Sequence, residues 1–341
     1  MEVVRRRMEK TILILNTGGT LSSVMKENGL APGLTTTDIQ KELHMVSQGV
    51  NLEMQDFWSV DSANIFPEDW AALAGKIADI WQDYDGIVVI HGTDTMAYTS
   101  SMLSFMLLNI SIPVVLTGSQ LSMADPVADA MENLRCAIHF AATGCAGVYV
   151  AFNRKVMLGC RTSKVRSLSF DAFDSINYPE AARISSLGMR VNEAVLPRRS
   201  GVFHLENAYS DRVFLLKMFP GIHREILRSL AGAGYQGIYI EAYGMGGMPF
   251  LKHDFIAEIA DLTAQGITVL VGTQCRYEGS TLSVYETGRR ALEAGCLQAF
   301  DMTGEAALTK LMWVLGKTKD PQEIRDYFSV SLCSEVSVGV Y

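Results

Sequence analysis

The sequence predicts an α/β protein of two domains, the first built on a mainly parallel sheet, and three observations carry that reading. From Thr11 to Asn153 one local pattern recurs: a short apolar, β-branched run, a turn rich in Gly, Thr or Ser, then a helical periodicity. The pattern breaks over 153 to 210, in polar and Pro-containing stretches such as SINYPEAARI and LPRRSGVFHLENAYSD. A second series of the same kind then begins.

In the first series TILILN runs into TGGT, GIVVI into HGTDT and PVVLT into GSQ, and GVYVAFN closes it. Helical spacing of apolar residues fills 68 to 83, 97 to 109 and 126 to 142. Strands this uniformly apolar, alternating with helices, belong in a parallel sheet covered on both faces. The stretch 153 to 210 reads as a hairpin followed by a linker. Beyond it VFLLKMF, GIYIEAY and TVLVGTQ read as strands, with helices over 221 to 231, 252 to 265, 287 to 295 and 304 to 316. The expected division is a first domain over 10 to 188, a linker over 189 to 210 and a second domain over 211 to 341.

With 341 residues, 48% hydrophobic and 19% charged, the chain can bury one large or two medium cores. A net charge of −8 without long runs of like charge offers no footprint for nucleic acid or an acidic membrane, so the expected partner is a small molecule. The six cysteines have no C-x-x-C or metal-like spacing and read as buried hydrophobes in a reducing compartment. MEVVRRRMEK resembles the charged start of a signal peptide, but the apolar run after it is only TILIL, too short for export. No apolar run reaches the roughly 18 residues a membrane helix needs, so the expected location is the cytoplasm.

Ligands of open parallel sheets bind beyond the carboxyl ends of the strands, where turns and helix N-termini present side chains and N–H groups together. Three polar turns fall there: Asn16 to Thr20, His91 to Thr95 and Thr117 to Gln120. Thr17-Gly18-Gly19-Thr20 can cradle an anion, hold a nucleophile or be an ordinary tight turn. In His91-Gly92-Thr93-Asp94-Thr95 the plain reading is capping of the next helix by Asp94 or Thr95. A metal at His91 and Asp94 lacks a second His or Cys ligand at a helpful spacing, and His91 is read as structural. Lys164, in CRTSKVRSLSFDAF, is by default an exposed lysine; brought to Asp94 it would help move a proton from a nearby hydroxyl. Asp61-Ser62-Ala63-Asn64 is a polar loop that gains meaning only beside a ligand.

Taken together, TGGTL at 17 to 21, DS at 61 to 62, HGTDTMAYTSSMLSFML at 91 to 107, PVVLTGSQ at 113 to 120, and RTSK with SFDAF at 161 to 173 resemble the bacterial-type L-asparaginase family. PGI at 220 to 222, EAYGMGGMP at 241 to 249 and TQC at 273 to 275 extend the resemblance over nearly the whole chain. HGTDTMAYT and the missing signal peptide resemble its cytoplasmic, type I branch. The resemblance implies a larger N-terminal α/β domain with a left-handed crossover, a linker and a smaller C-terminal α/β domain, assembled as dimers or tetramers. It implies hydrolysis of L-asparagine to L-aspartate and ammonia, through a threonine-linked β-aspartyl ester, without metal or cofactor. By motif position Thr20 is the nucleophile, and Thr93, Asp94 and Lys164 form the second catalytic group. Gly19, Asp61, Ser62 and Ala63, with Thr93 and Asp94, line the substrate site.

One departure stands out. Many members carry a tyrosine in the mobile loop after T-G-G-T, whereas here KENGLAPGL places Leu30 there and no Tyr lies between Thr20 and Tyr84. Tyr285, in SVYETG, is a candidate for reaching a neighbouring protomer's site. Two alternatives share the scaffold. One is the glutaminase-type amidase component of a tRNA amidotransferase, which carries an extra N-terminal domain that the nine or ten residues before the first strand do not supply. The other is a non-catalytic protein that binds or senses an amino acid.

Overall fold

A computed structural model describes residues 9–26, 29–32, 39 and 49–337. The first sheet contains β1 (Lys10–Gly18), β4 (Val50–Val60), β5 (Gly86–Ile90), β6 (Pro113–Thr117), β7 (Gly147–Phe152), β8 (Lys155–Leu158), β11 (Ala182–Ser185) and β12 (Gly188–Val191). Its order is β12-β11-β8-β7-β6-β5-β1-β4, with β7, β6, β5, β1 and β4 mutually parallel. Every residue of β5 and β6 is buried, as expected of central parallel strands with a layer on each face. The short pairs β2 (Ser23–Lys26) with β3 (Gly29–Pro32) and β9 (Thr162–Lys164) with β10 (Phe173–Ser175) are antiparallel.

Three helices with described bounds accompany this sheet: α1 (Pro67–Ile80), α2 (Met96–Met106) and α3 (Ala130–Ala141). Pro67 opens α1, where its missing N–H costs nothing, and Asp69 Oδ2 accepts from Phe66 N at 2.8 Å to satisfy the end. The stretch 153 to 210 departs from the sequence reading. Where one hairpin is expected it holds β8 to β12, three of which extend the first sheet, while 192 to 212 holds no strand. The runs of these five strands are only three or four residues long, too short to show a period.

The second, smaller sheet is wholly parallel, in the order β13 (Val213–Lys217), β14 (Gly237–Ala242), β15 (Thr268–Thr273) and β16 (Leu297–Gln298). Its helices are α4 (Glu225–Gly232), α5 (Phe255–Ala264) and α6 (Glu286–Glu293), with α7 (Gly304–Lys317) and α8 (Pro321–Ser329) after them. Thr303 caps α7 by accepting from Ala306 N at 3.0 Å. Leu311, Trp313 and Val314 of α7 are buried in the same core as α2, where Trp313 stacks on Phe105 at 5.8 Å between ring centres. A Cβ at Gly237 in β14 would come within 2.6 Å of Leu315 Cδ1, so α7 also lies against the second sheet. This one helix packs on α2 of the first domain and on the second sheet. No helix among the described residues is long and apolar enough to cross a membrane.

Candidate active site

The carboxyl ends of β1, β4 and β5 meet through glycine. Gly18 (φ +96°) lies so close to β4 that a Cβ there would be 2.6 Å from Val60 N and O. Gly19 (φ +85°) would place one 2.4 Å from Gly92 N, and Gly92 would place one 2.5 Å from Ser62 Oγ. Both the left-handed backbone and the contact distance demand glycine at 19. Side chains tighten the same junction: Thr17 Oγ1 donates to Ile90 O at 2.6 Å and Asn16 Nδ2 to Asp56 Oδ1 at 2.8 Å. The turns TGGT, DSAN and HGTDT are thereby stacked as one surface, although tens of residues separate them in sequence.

Lys164 arrives from the far side on β9. Its Nζ donates to Thr93 Oγ1 at 2.8 Å and to Asp94 Oδ1 at 2.6 Å. The lysine side chain is 19% exposed and the Asp94 side chain 65%, so the cluster is partly buried with its carboxylate facing solvent. The default reading of Lys164 as an exposed lysine is not met. Nor do Asp94 or Thr95 cap α2: the Thr95 hydroxyl instead donates to Ser62 O at 2.8 Å, fastening the HGTDT turn to the DSAN turn. Asp61 Oδ1 accepts from Ala63 N at 2.9 Å and shapes a single helical turn that places buried Ser62 beside Gly92.

These residues enclose a polar cavity of about 220 Å³, lined by Gly19, Thr20, Asp61, Ser62, Gly92, Thr93, Asp94, Gln120, Lys164 and Ser167. Of the residues expected at a site, Thr20, Thr93, Asp94, Lys164, Gly19, Asp61 and Ser62 thus line one cavity, with Ala63 next to Ser62 in the chain. Tyr285 is exposed just ahead of α6 and is not among the lining residues. Leu30 pairs through its backbone with Met25 in the β2–β3 ladder, and its side chain lies outside the described residues. Gln120 belonged to a turn already marked by its polarity, but Ser167 gave no signal in a loop of ordinary composition.

His91 is wholly buried. Its Nδ1 lies 2.7 Å from Gly92 O and its Nε2 3.0 Å from Thr99 Oγ1, which accepts from Trp70 Nε1 at 2.9 Å. A carbonyl only accepts, so Nδ1 carries the proton and Nε2 accepts the Thr99 hydroxyl. Burial lowers the imidazole pKa to about 4, against the Gly92 carbonyl bond, which favours the charged form. No cluster of three or more His, Cys, Asp or Glu side chains able to hold a metal occurs among the described residues.

Comparison with known proteins follows the two sheets. A family model described as "Asparaginase, N-terminal" matches residues 11–196, and "Glutaminase/Asparaginase C-terminal domain" matches 212–328. An L-asparaginase of Thermococcus kodakarensis is 44% identical over 96% of this chain and 99% of its own. A solved structure of the thermostable L-asparaginase from that organism superposes with a TM-score of 0.89 at 43% identity, covering 96% of this chain and 99% of the other. A component of the glutamyl-tRNA(Gln) amidotransferase of the same organism is 35% identical over 96% of this chain and 76% of its own.

Proposed function

The chain belongs to the asparaginase family, and on that premise we propose that it hydrolyses the side-chain amide of L-asparagine to L-aspartate and ammonia in the cytoplasm. The observation that carries the reading is the hydrogen-bonded Lys164–Thr93–Asp94 cluster lining the same 220 Å³ cavity as Thr20.

The reaction divides into two acyl transfers. Thr20 Oγ attacks the carboxamide carbon, the C–N bond breaks, and ammonia leaves with the proton given up by the hydroxyl, forming a β-aspartyl ester. Water then attacks that ester; Thr20 recovers its proton and aspartate departs. Thr93 Oγ1, 2.8 Å from Lys164 Nζ, is the group through which the proton of water or hydroxyl moves, a role worth about 10² to 10⁴ in rate. The HGTDT turn presents backbone N–H to the oxyanion, and one such donor typically contributes about 2.7 to 4 kcal/mol. In this reading Asp94 and Asp61, which line the cavity, are the carboxylate partners for the substrate's α-ammonium, and Ser62 beside them is the partner for its α-carboxylate.

Ammonia release from L-asparagine and from L-glutamine, measured beside Thr20→Ala, tests this. Release from asparagine that falls by at least about 10³-fold in Thr20→Ala, with aspartate still bound, supports it. Binding of aspartate with no release from either amide would replace it with a sensing protein. The second enzymatic reading, glutaminase chemistry like that of an amidotransferase component, rests on the 35% identity to the Thermococcus amidotransferase chain and is the outcome if glutamine is the faster substrate. The reading also makes the molecule a homodimer or homotetramer, which sedimentation velocity checks, with exposed Tyr285 the candidate to reach a neighbouring protomer's site.

A further inference from the structure

Past Lys164 the chain makes a short excursion before returning as β10. Its base is closed by Val165 N and Arg166 N, both donating to Ala172 O at 2.8 and 3.2 Å. Within the excursion Ser167 forms part of the cavity wall. The tip has little apolar packing, since Leu168 is 90% exposed and Phe170 42%. It is held instead from the opposite wall, where Gln120 Nε2 donates to Ser167 O at 3.2 Å and to Ser169 O at 3.0 Å. Both partners are carbonyl oxygens, which only accept, so chemistry alone fixes which way the carboxamide faces.

Gln120 has a firm footing. The Asp129 carboxylate accepts from Gln120 N through both oxygens, at 3.0 and 3.1 Å, and from Asn133 Nδ2 at 2.9 Å. Asn133 Oδ1 accepts from Asn153 N at 2.8 Å, and Asn153 Nδ2 reaches Asp171 Oδ1 at 2.8 Å. Asp171 is also paired with Lys155 at 2.6 Å, and that hydrogen bond holds its carboxyl below the usual range. The far end of the excursion is therefore anchored on the same scaffold without help from the Gln120 side chain. Only the tip, over the cavity, depends on it.

We infer that Gln120 is a positioning residue whose carboxamide latches the Ser167–Ser169 loop over the cavity and so completes the wall that retains substrate. The Gln120 carboxamide makes no bond to Thr20, Thr93, Asp94 or Lys164 among the described residues, so the latch and the chemistry are separable. The kinetic part rests on the asparaginase reading; the loop itself does not.

Gln120→Met removes both donors at similar length, and Gln120→Glu sets a carboxylate against two carbonyl oxygens. The Arg166–Ser167 bond inside the loop is a trypsin site, and its cleavage reports how often the loop opens. Cleavage there, followed by mass spectrometry, should quicken about tenfold in Gln120→Met, the scale of one or two lost hydrogen bonds, and more in Gln120→Glu. KM for asparagine should rise by a similar factor with kcat within about threefold and the melting temperature little changed. Cleavage as slow as in the unaltered protein overturns the latch, and quicker cleavage with unchanged KM overturns its part in retaining substrate. Loss of kcat in step with melting temperature reduces Gln120 to a structural residue. If the unaltered protein releases ammonia from neither amide, the asparaginase reading fails, while the cleavage rates still uphold or overturn the latch.

Discussion

The imidazole of His91 has both nitrogens committed inside the protein, to Gly92 O and to the Thr99 hydroxyl, and no room for a second proton. Its folded pKa of about 4 stands below the unfolded value of 6.5. Between those values the unfolded chain binds a proton that the folded one refuses, so stability is full above the unfolded pKa and falls as pH drops toward 4. The loss is on the order of 3 kcal/mol. Urea midpoints at neutral pH and near the folded pKa should show it, and His91→Gln, less stable at neutral pH, should lose less on acidification. An equal acid loss in both proteins would place the titration elsewhere. Lys164 has a different weight. On the proposed mechanism Lys164→Met should lower kcat by about 10² to 10⁴ while aspartate still binds, because it removes the proposed proton-moving group and leaves Asp61 and Ser62 intact. Aspartate binding lost along with turnover would make Lys164 a substrate ligand instead.

At the scale of turns and strands, the site depends on backbone contact that no side chain mediates. Gly19→Ala would force a Cβ to 2.4 Å from Gly92 N in a left-handed conformation, and backbone atoms on both sides cannot yield as a side-chain tip could. The expected result is a turnover loss of at least about 10²-fold, with the TGGT turn displaced in a crystal structure of the variant. Retained turnover would show that the turn tolerates that displacement. The glycines were legible as turn formers at strand ends, but not their contact with each other, because 73 positions of chain separate Gly19 from Gly92. The apolar strands β5, β6 and β7 and helices α1 and α3 were equally plain, since burial on both faces leaves a continuous apolar run and an amphipathic helix leaves a period. β4 was not, since its outer positions are polar and it ends the sheet, so that NLEMQDFWSV carries a weak alternation. Ser167 was invisible for another reason. It enters the cavity through a loop whose position is set by Gln120 and Asp171, and neither bond leaves a pattern in sequence.

Across the whole molecule, the segment after α8 ties the second half of the chain to the strand that carries Lys164. Arg161, fully buried three residues before Lys164, donates to Asp301 Oδ2 at 3.0 Å, Ser334 O at 2.6 Å and Ser337 Oγ at 3.2 Å. In the same seam, Lys310 of α7 reaches Glu335 at 2.6 Å with both side chains wholly buried. Glu335 also accepts from Leu332 N at 2.9 Å and Cys333 N at 2.8 Å, which folds the segment back on itself. Burial alone would raise the Glu335 carboxyl, but the charge of Lys310 and these bonds bring it below its ordinary value. A depressed carboxylate contributes stability that is present above its unfolded pKa and lost as pH falls through the folded one. Removing one partner leaves the other charge buried without compensation, at a cost of about 3 to 5 kcal/mol, so Lys310→Met and Glu335→Gln should each lower the unfolding midpoint sharply. Lys310→Met/Glu335→Gln together should cost much less than the sum, because no uncompensated charge remains. Additive losses would mean that the two groups act independently. The single variants should also weaken turnover at temperatures where they remain folded, since the segment they loosen grips Arg161 and, through β9, sets where Lys164 meets Thr93; turnover unaffected in folded single variants would sever that link between the seam and the site.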